Sequence, residues 1–271
     1  MNMWNWLHII TAYLIYIVIA VLISIVIRKT TGDLKEFTAR NSPRVLLLGG
    51  GANLIAMFAI LSLLFFWDKR PISDLGLNFS NVDMLAVVSG FIVTFIPAIL
   101  FLIFLKRTSR FNSLGVVRPA KSIEQVINMT IGFIVLVTIV LQEEVLNRGY
   151  VTLNLLSMGP IGVILISTTI FVLIHILTNR ANGYQLISWI ASGLVLITSY
   201  LLSGTIWVPV ILHYTTDAAN TLVFNITGQF SFFETSPSMS EVQRAVFRII
   251  YGIAMLILLI SIYGIQFRFF S

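Results

Sequence analysis

Long apolar runs separated by short polar segments make up most of the chain. Eight runs can be drawn, over residues 8–27, 45–67, 84–105, 123–147, 161–177, 184–202, 206–224 and 245–267. A helix that crosses a bilayer needs about 20 predominantly apolar residues, and apolar runs of this length are helices because the membrane offers the backbone no water to bond with. The pattern predicts an all-α protein, a polytopic membrane helix bundle of about eight transmembrane helices.

Composition supports this class and narrows the chemistry. Hydrophobic residues make up 58% of the 271-residue chain and charged residues 10%, whereas charged residues are about 25% of an ordinary soluble domain. We therefore treat residues 1–271 as a single membrane-embedded domain. We expect the opening stretch MNMWNWLHIITAYL to enter a retained span, because no basic segment precedes its apolar run. The chain has no cysteine, which excludes disulfides, thiolate metal ligands and a cysteine nucleophile.

The basic residues predict an orientation in the membrane. The net charge is +6, but the basic residues lie in short loops and not on one soluble face, so we expect no nucleic-acid partner. Most of the 17 Lys and Arg residues fall in segments 28–44 and 106–121 and around positions 180 and 244–248. Loops rich in Lys and Arg stay in the cytoplasm. With eight spans, both termini then lie outside.

A small set of polar residues interrupts three of the apolar runs. These residues are Glu143, Glu144 and Asn147 in the fourth run and Arg148 directly after it, His175 in the fifth, and His213, Asp217 and Asn220 in the seventh. Ionisable groups inside a membrane are costly, and they usually face the bundle interior or a wet cavity, where they carry function. The sequence therefore predicts a polar site between helices four, five and seven.

Spacing within each helix assigns these side chains to faces. Glu144 and Arg148 are four residues apart, so they share a face and can pair. Glu143 is turned by about 100° from Glu144 and faces a different neighbour. His213 and Asp217 are also four apart and share a face of the seventh helix. The fourth helix thus combines an internal ion pair with a carboxylate that is left for another partner.

Depth places Glu143 beside His175. Gly159-Pro160 is a predicted break between helices four and five, and Glu143 and His175 each lie 16 residues from Gly159. If the two helices run antiparallel about that break, both side chains lie at one level, about 24 Å from the turn. Counted from Lys121, Glu143 lies about 33 Å along its helix, so the start of that helix must be interfacial or strongly tilted.

Two chemistries fit these residues. Glu143 and His175 can hold and deprotonate a water molecule, while His213, with Asp217 or Asn220 beside it, stabilises an oxyanion. Together they would hydrolyse an amide by direct water attack. The alternative is a zinc site, for which Glu143, His175, His213 and Asp217 are all legitimate ligands. The HExxH pattern of common zinc proteases is absent from the sequence.

Three short motifs follow one another on these helices. Residues 143–148 have the pattern EExxxR, residues 171–175 the pattern FxxxH, and residues 213–217 the pattern HxxxN/D. In this order they resemble the CAAX protease and bacteriocin-processing family, which includes the type II CAAX prenyl endopeptidases and bacterial abortive-infection proteins. The resemblance covers about residues 121–225, which it marks as a protease core. It implies a membrane peptidase with a metal-independent, glutamate-type mechanism.

The resemblance implies a role for each matching residue. Glu143 takes the place of the family's catalytic glutamate, the base for water, and His175 that of the histidine that helps to activate it. Glu144 and Arg148 fill the other fixed positions of the first motif, as an ion pair that orders the helix. His213 takes the position of the histidine on the oxyanion side. Phe171 is a supporting residue as the first position of the second motif, and we expect Asn147 and Asn220, which accompany the charged residues, to support the site as well.

The last motif departs from the family at one position. The eukaryotic-type enzymes typically carry Asn where this chain has Asp217. An ionised aspartate would repel an oxyanion. Asp217 is therefore protonated, or it orients His213, or the activity is altered.

Three functions are compatible with the sequence. The leading hypothesis is an intramembrane endopeptidase without a cofactor, or with zinc as the alternative, that cleaves a peptide or membrane-protein segment. The second is a non-catalytic immunity or regulatory scaffold of the same fold. The third is a proton-coupled transporter, ranked last because the polar residues are confined to one stretch and inverted repeats would place them in both halves. We expect a multi-pass protein of a bacterial plasma membrane, with its site opening towards the cytoplasm and a role in bacteriocin processing or immunity.

Overall fold

The protein is helical throughout the part that the structure describes. The computed structural model describes residues 3–31, 43–77, 84–107, 123–178, 182–222, 241–265 and 267–270. Within these ranges 92% of the residues are helical and there is no strand, which confirms the all-α prediction. The long helices of the described ranges are α1 Met3–Thr31, α2 Pro43–Ser62, α3 Met84–Arg107, α4 Ile123–Glu144, α5 Gly159–Thr178, α6 Gly183–Ser203, α7 Trp207–Leu222 and α8 Glu241–Tyr263.

Several helix ends differ from the predicted bounds. α1 spans residues 3–31 where the pattern predicts 8–27, and α8 begins at residue 241 and not at 245. The fourth helix does not end at residue 147, because it continues as a π-helical turn, Val145–Val151, and as short helical turns to Met158. It stops at Gly159, whose φ of +72° is a conformation that glycine adopts without strain. The last helix ends at Tyr263 and not at residue 267, since Gly264 follows it with φ +74°.

Four helical segments of the described residues are long and apolar enough to cross a membrane. They are Met3–Thr30, Val45–Trp67, Thr130–Leu177, which joins α4 to α5, and Gly183–Ser203. Val87–Pro97 and Arg248–Tyr263 are shorter apolar stretches. These segments indicate an integral membrane protein, while the count of eight spans stays a prediction.

Glycines allow α2 to pack closely against α4, and α3 to pack closely against α7. A Cβ at Gly50 of α2 would lie 3.1 Å from a methyl group of Val135 on α4, so the two helices pack tightly there. Within the Gly49-Gly50-Gly51 stretch only the middle residue makes this close contact, because a Cβ at Gly49 or Gly51 would meet no described atom within 4 Å. α3 approaches α7 still more closely, at Gly90.

The segments that the charge pattern places outside lie together at one end of the bundle. The backbone N–H of Ile206, in the turn between α6 and α7, donates to the carbonyl of Gly76 over 3.3 Å. Arg268, after α8, donates its backbone N–H to the carbonyl of Leu201 over 2.9 Å. The short 3₁₀ helix Ile72–Leu75 packs beside the same turn, because Tyr200 donates to the Leu75 carbonyl. The polar site lies along the helices, between this end of the bundle and the opposite end.

Candidate active site

Glu144 is the buried centre of the polar residues. Its side chain has no exposed surface. One carboxylate oxygen, Oε1, lies 2.7 Å from Nδ1 of His213, and the other, Oε2, lies 3.2 Å from Nε of Arg148. The Glu144–Arg148 contact is the one that the four-residue spacing predicts. The contact with His213 joins α4 to α7, so Glu144 holds the imidazole of His213 in position from its buried side.

Arg148 extends this core to α5. Its guanidinium carbon lies 4.4 Å from the centre of the Phe171 ring, a cation–π distance. The Phe171 ring in turn contacts the ring of His175, with centroids 4.2 Å apart. The first two motifs therefore meet through Arg148 and Phe171, which explains why an aromatic ring precedes His175 by one turn.

His175 is oriented by its own helix. Its Nδ1 lies 2.9 Å from the backbone carbonyl of Phe171. A carbonyl oxygen can only accept a hydrogen bond, so Nδ1 carries the proton in this contact. In the neutral imidazole, Nε2 is then the nitrogen with a lone pair. His175 can therefore take up a proton at Nε2.

Both nitrogens of His213 face carboxylates. Besides the contact of Nδ1 with Glu144, Nε2 lies 3.4 Å from Oδ2 of Asp217. The Asp217 side chain is 41% exposed, whereas Glu144 is buried, so the two carboxylates differ in how strongly they hold the ring. Only an imidazolium donates from both nitrogens. As an imidazolium, His213 carries a proton at Nε2, on the side of the ring that faces Asp217.

One cavity brings the predicted catalytic residues together. Its volume is about 420 Å³, and Glu143, His175, His213 and Asp217 all line it. Glu144 and Arg148 are not among its lining residues, because they lie buried behind His213 and Phe171. Glu143 is therefore reached from the cavity and Glu144 is not, as the rotation between the two positions about the helix axis predicts.

Of the remaining predicted residues, the structure describes the side chain of Asn147 but not that of Asn220. Asn147 is buried in the π-helical turn and donates from Nδ2 to the backbone carbonyl of Glu143 over 2.9 Å. Asn220 lies in the last turn of α7, and its side chain is outside the described residues. Lys121 and Arg180, which entered the depth and charge arguments, also lie outside them.

Sequence reasoning missed two residues that belong to the site. Arg248 of α8 lies in the cavity wall, and its signal was available, since it is a charged residue inside the last apolar run. Tyr13 of α1 donates a short hydrogen bond to Oδ1 of Asn147. Tyrosine is common in membrane helices, so no pattern in the sequence marks this position.

The zinc alternative can be compared with the side-chain arrangement. Glu143, His175, His213 and Asp217 share the cavity. Nevertheless, across the described ranges no three His, Cys, Asp or Glu side chains are grouped closely enough to hold a metal ion. His213 is already in contact with two carboxylates, those of Glu144 and Asp217.

Comparison with known proteins identifies the part of the chain that carries this site. Residues 125–219 match the family described as type II CAAX prenyl endopeptidase Rce1-like. The central segment of this chain is therefore similar to that family. This confirms the resemblance drawn from the three motifs, and because the family is a protease family it supports a peptidase in general. The Rce1-like segment, residues 125–219, contains all five cavity-lining residues that the motifs select: Glu143, Phe171, His175, His213 and Asp217.

The other comparisons gave no relative for the chain. No curated protein and no solved structure matched it.

Proposed function

We propose that the protein is an intramembrane endopeptidase in which Glu143 and His175 activate a water molecule. The observation that carries the proposal is the division between two adjacent carboxylates. Glu143 lines the cavity together with His175, while Glu144 is buried against Arg148 and His213. A base that is accessible to water and a second carboxylate that fixes an oxyanion donor are what hydrolysis without a covalent intermediate requires.

The reaction needs only the residues of the cavity. Glu143 removes a proton from a water molecule held between its carboxylate and His175, and the oxygen attacks the carbonyl carbon of the scissile peptide. His213 donates its Nε2 proton in a hydrogen bond to the oxyanion. Glu143 then passes the proton to the leaving nitrogen as the C–N bond breaks. Glu144 and Arg148 keep His213 in place throughout.

Asp217 takes the orienting role among the three left open by the sequence. Its contact with Nε2 of His213 is long, at 3.4 Å, and its side chain is partly exposed. A substrate oxyanion can therefore replace Asp217 as the acceptor from Nε2. Asp217 then holds the ring in position when no substrate is bound.

The substrate enters from the end of the bundle opposite the Gly76 and Ile206 contact. Asn182 and Gln185, at the start of α6, and Arg248, at the start of α8, lie in the cavity wall together with Trp189. Leu196 and Met255 add apolar side chains to the wall, which a peptide or membrane-protein segment with apolar side chains would fit. With eight spans this end is cytoplasmic, and we place the protein in a bacterial plasma membrane, where it would process a peptide or confer immunity.

Cleavage of a library of membrane peptides by the purified protein in lipid nanodiscs tests the proposal. We compare the wild type with Glu143→Gln, and use Asp74→Asn as a matched control, because Asp74 lies in the 3₁₀ helix away from the cavity. We expect the wild type and Asp74→Asn to cleave the same peptides and Glu143→Gln to cleave none. Full activity of Glu143→Gln would refute the assignment.

A chelator distinguishes the metal-independent mechanism from the zinc alternative. Cleavage that persists with 1,10-phenanthroline supports the glutamate base alone. Loss of cleavage that added zinc restores assigns the four cavity residues to a metal instead. A wild type that binds peptides from the library and cleaves none supports the scaffold hypothesis.

A further inference from the structure

We propose that α1 is part of the active site, because Tyr13 positions Glu143 through the side chain of Asn147. The catalytic consequence of this inference rests on the proposed function. The hydrogen bonds from which it is argued do not. Tyr13 lies outside the Rce1-like segment, so the family match does not select it.

Two hydrogen bonds in series connect α1 to the backbone of Glu143. The Tyr13 hydroxyl donates to Oδ1 of Asn147, and Nδ2 of Asn147 donates to the Glu143 carbonyl over 2.9 Å. The direction is fixed by chemistry, because a backbone carbonyl can only accept and therefore requires the amide nitrogen on its side. The amide oxygen then faces Tyr13, which must donate.

The link acts where the helix changes its geometry. α4 is an α-helix up to Glu144, and the π-helical turn begins at Val145. Backbone hydrogen bonds in a π-helix run over five residues instead of four, and such turns often occur at functional sites. Asn147 lies inside this turn and reaches back to Glu143, so its amide fixes the backbone at the junction. The direction of the Glu143 side chain depends on that backbone.

Because both side chains are buried, the loss of either hydrogen bond is destabilising. Tyr13 is 9% exposed and Asn147 is 7% exposed. Neither side chain can exchange its partner for bulk water, and a buried polar group left without a partner is destabilised. Removing the Tyr13 hydroxyl therefore releases Asn147, and the amide can then turn away from Glu143.

α1 is held in place by other contacts as well, which makes the proposal testable. Asn5 donates to the backbone carbonyl of Asn154 over 2.9 Å, and His8 pairs with Asp68. Ile9 and Ala12 are also buried in the core. Tyr13→Phe removes one hydroxyl and leaves these contacts, so α1 remains docked.

The first test does not depend on proteolysis. N,N′-dicyclohexylcarbodiimide labels carboxyl groups in apolar surroundings, and peptide mapping distinguishes Glu143 from Glu144 when Glu143→Gln serves as the blank. We expect labelling of Glu143 to become about threefold faster or more in Tyr13→Phe and in the nearly isosteric Asn147→Leu, since the loss of one buried hydrogen bond frees the side chain. The double variant should match Asn147→Leu, because the two residues act in series.

Asn5→Ala is the matched control. It removes a hydrogen bond between α1 and the extension of α4 without touching Asn147, and we expect labelling of Glu143 at the wild-type rate. A rate in Tyr13→Phe at or below that of the wild type overturns the proposal. So does an equal acceleration in Asn5→Ala, which would show a general loosening of α1.

Kinetics on a peptide cleaved by the wild type provide the catalytic test. We expect kcat to fall about tenfold in Tyr13→Phe with KM unchanged, because the base is misdirected and the cavity wall is intact. Unchanged kcat overturns the catalytic part of the proposal. Accelerated labelling in a protein whose wild type cleaves no peptide supports the positioning of Glu143 and refutes the proposed function alone.

Discussion

At the scale of single residues, the site depends on which nitrogen or oxygen each side chain presents. His175 uses Nδ1 on the Phe171 carbonyl, and so it presents Nε2. His213 uses Nδ1 on Glu144 and reaches Asp217 with Nε2. In the proposed mechanism the two histidines therefore have opposite roles, with Nε2 of His175 as an acceptor and Nε2 of His213 as a donor.

The two carboxylates that contact His213 should differ in their effect on activity. Asp217→Asn keeps a polar group beside Nε2, and the contact it removes is long and partly exposed, so we expect a loss in kcat of less than about fivefold. His213→Ala removes the oxyanion donor and should reduce kcat by about 10² to 10³. Steady-state kinetics on one peptide checks both. A loss in Asp217→Asn as large as that in His213→Ala would contradict the orienting role.

Spacing predicted the contacts within each helix but not those between helices. The Glu144–Arg148 pair follows from a separation of four residues, because the helix geometry fixes it. The contact of Glu144 with His213 depends on how α7 is rotated about its own axis against α4. That rotation is set by packing over many side chains, and no short motif contains it.

At the scale of helices, close approach decides where the catalytic side chains lie. A Cβ at Gly90 of α3 would come within 2.4 Å of Ile211 Cγ2. Ile211 is two residues before His213 on α7, so the absence of a side chain at Gly90 allows α7 to sit deep in the bundle. The contact between α3 and α7 thereby contributes to the position of His213.

Adding a methyl group at this contact should be destabilising. Gly90→Ala must push α7 away or distort Ile211, which typically costs about 1–3 kcal/mol, and we expect a lower unfolding temperature together with reduced kcat. Gly49→Ala is the control, because no described atom lies within 4 Å of its Cβ position and alanine favours the helix. Thermal unfolding of the two variants in detergent checks this. Equal stability of Gly90→Ala and the wild type would contradict the tight contact.

Helix bounds were predicted well where apolar runs end at charged loops or glycines. The bounds of α3, α5 and α6 agree with the predicted runs to within two residues. The π-helical turn was not predicted, since its residues, VLNRGYV, have no composition that separates π from α geometry. Its stability comes from burial, because every residue from Val145 to Val151 is buried.

At the scale of the whole molecule, the number of membrane crossings decides on which side the cavity opens. Four segments are long and apolar enough to span by length and composition. Eight spans require α3, α7 and α8 to cross as well and α4 and α5 to cross separately. The distribution of charge along the chain favours eight spans.

The absence of cysteine from the sequence makes the topology directly measurable. Single cysteines are placed at Lys69, between α2 and α3, and at Ser113, between α3 and α4. If α3 crosses the membrane, a membrane-impermeant maleimide labels Lys69→Cys in intact cells and labels Ser113→Cys only after permeabilisation. Labelling of both positions from the same side would show that α3 does not cross, and the eight-span topology would be wrong.

The central claim is the division of labour between Glu143 and Glu144, and one paired measurement tests it. Turnover and unfolding temperature are measured on Glu143→Gln and Glu144→Gln in the same preparation. We expect Glu143→Gln to lose turnover and to unfold at the wild-type temperature, because glutamine fills the same space at the cavity wall. Glu144→Gln should lose both, since it leaves Arg148 buried without its carboxylate, a change that costs about 3–5 kcal/mol in comparable pairs. Retained turnover in Glu143→Gln, or wild-type stability in Glu144→Gln, would contradict the account.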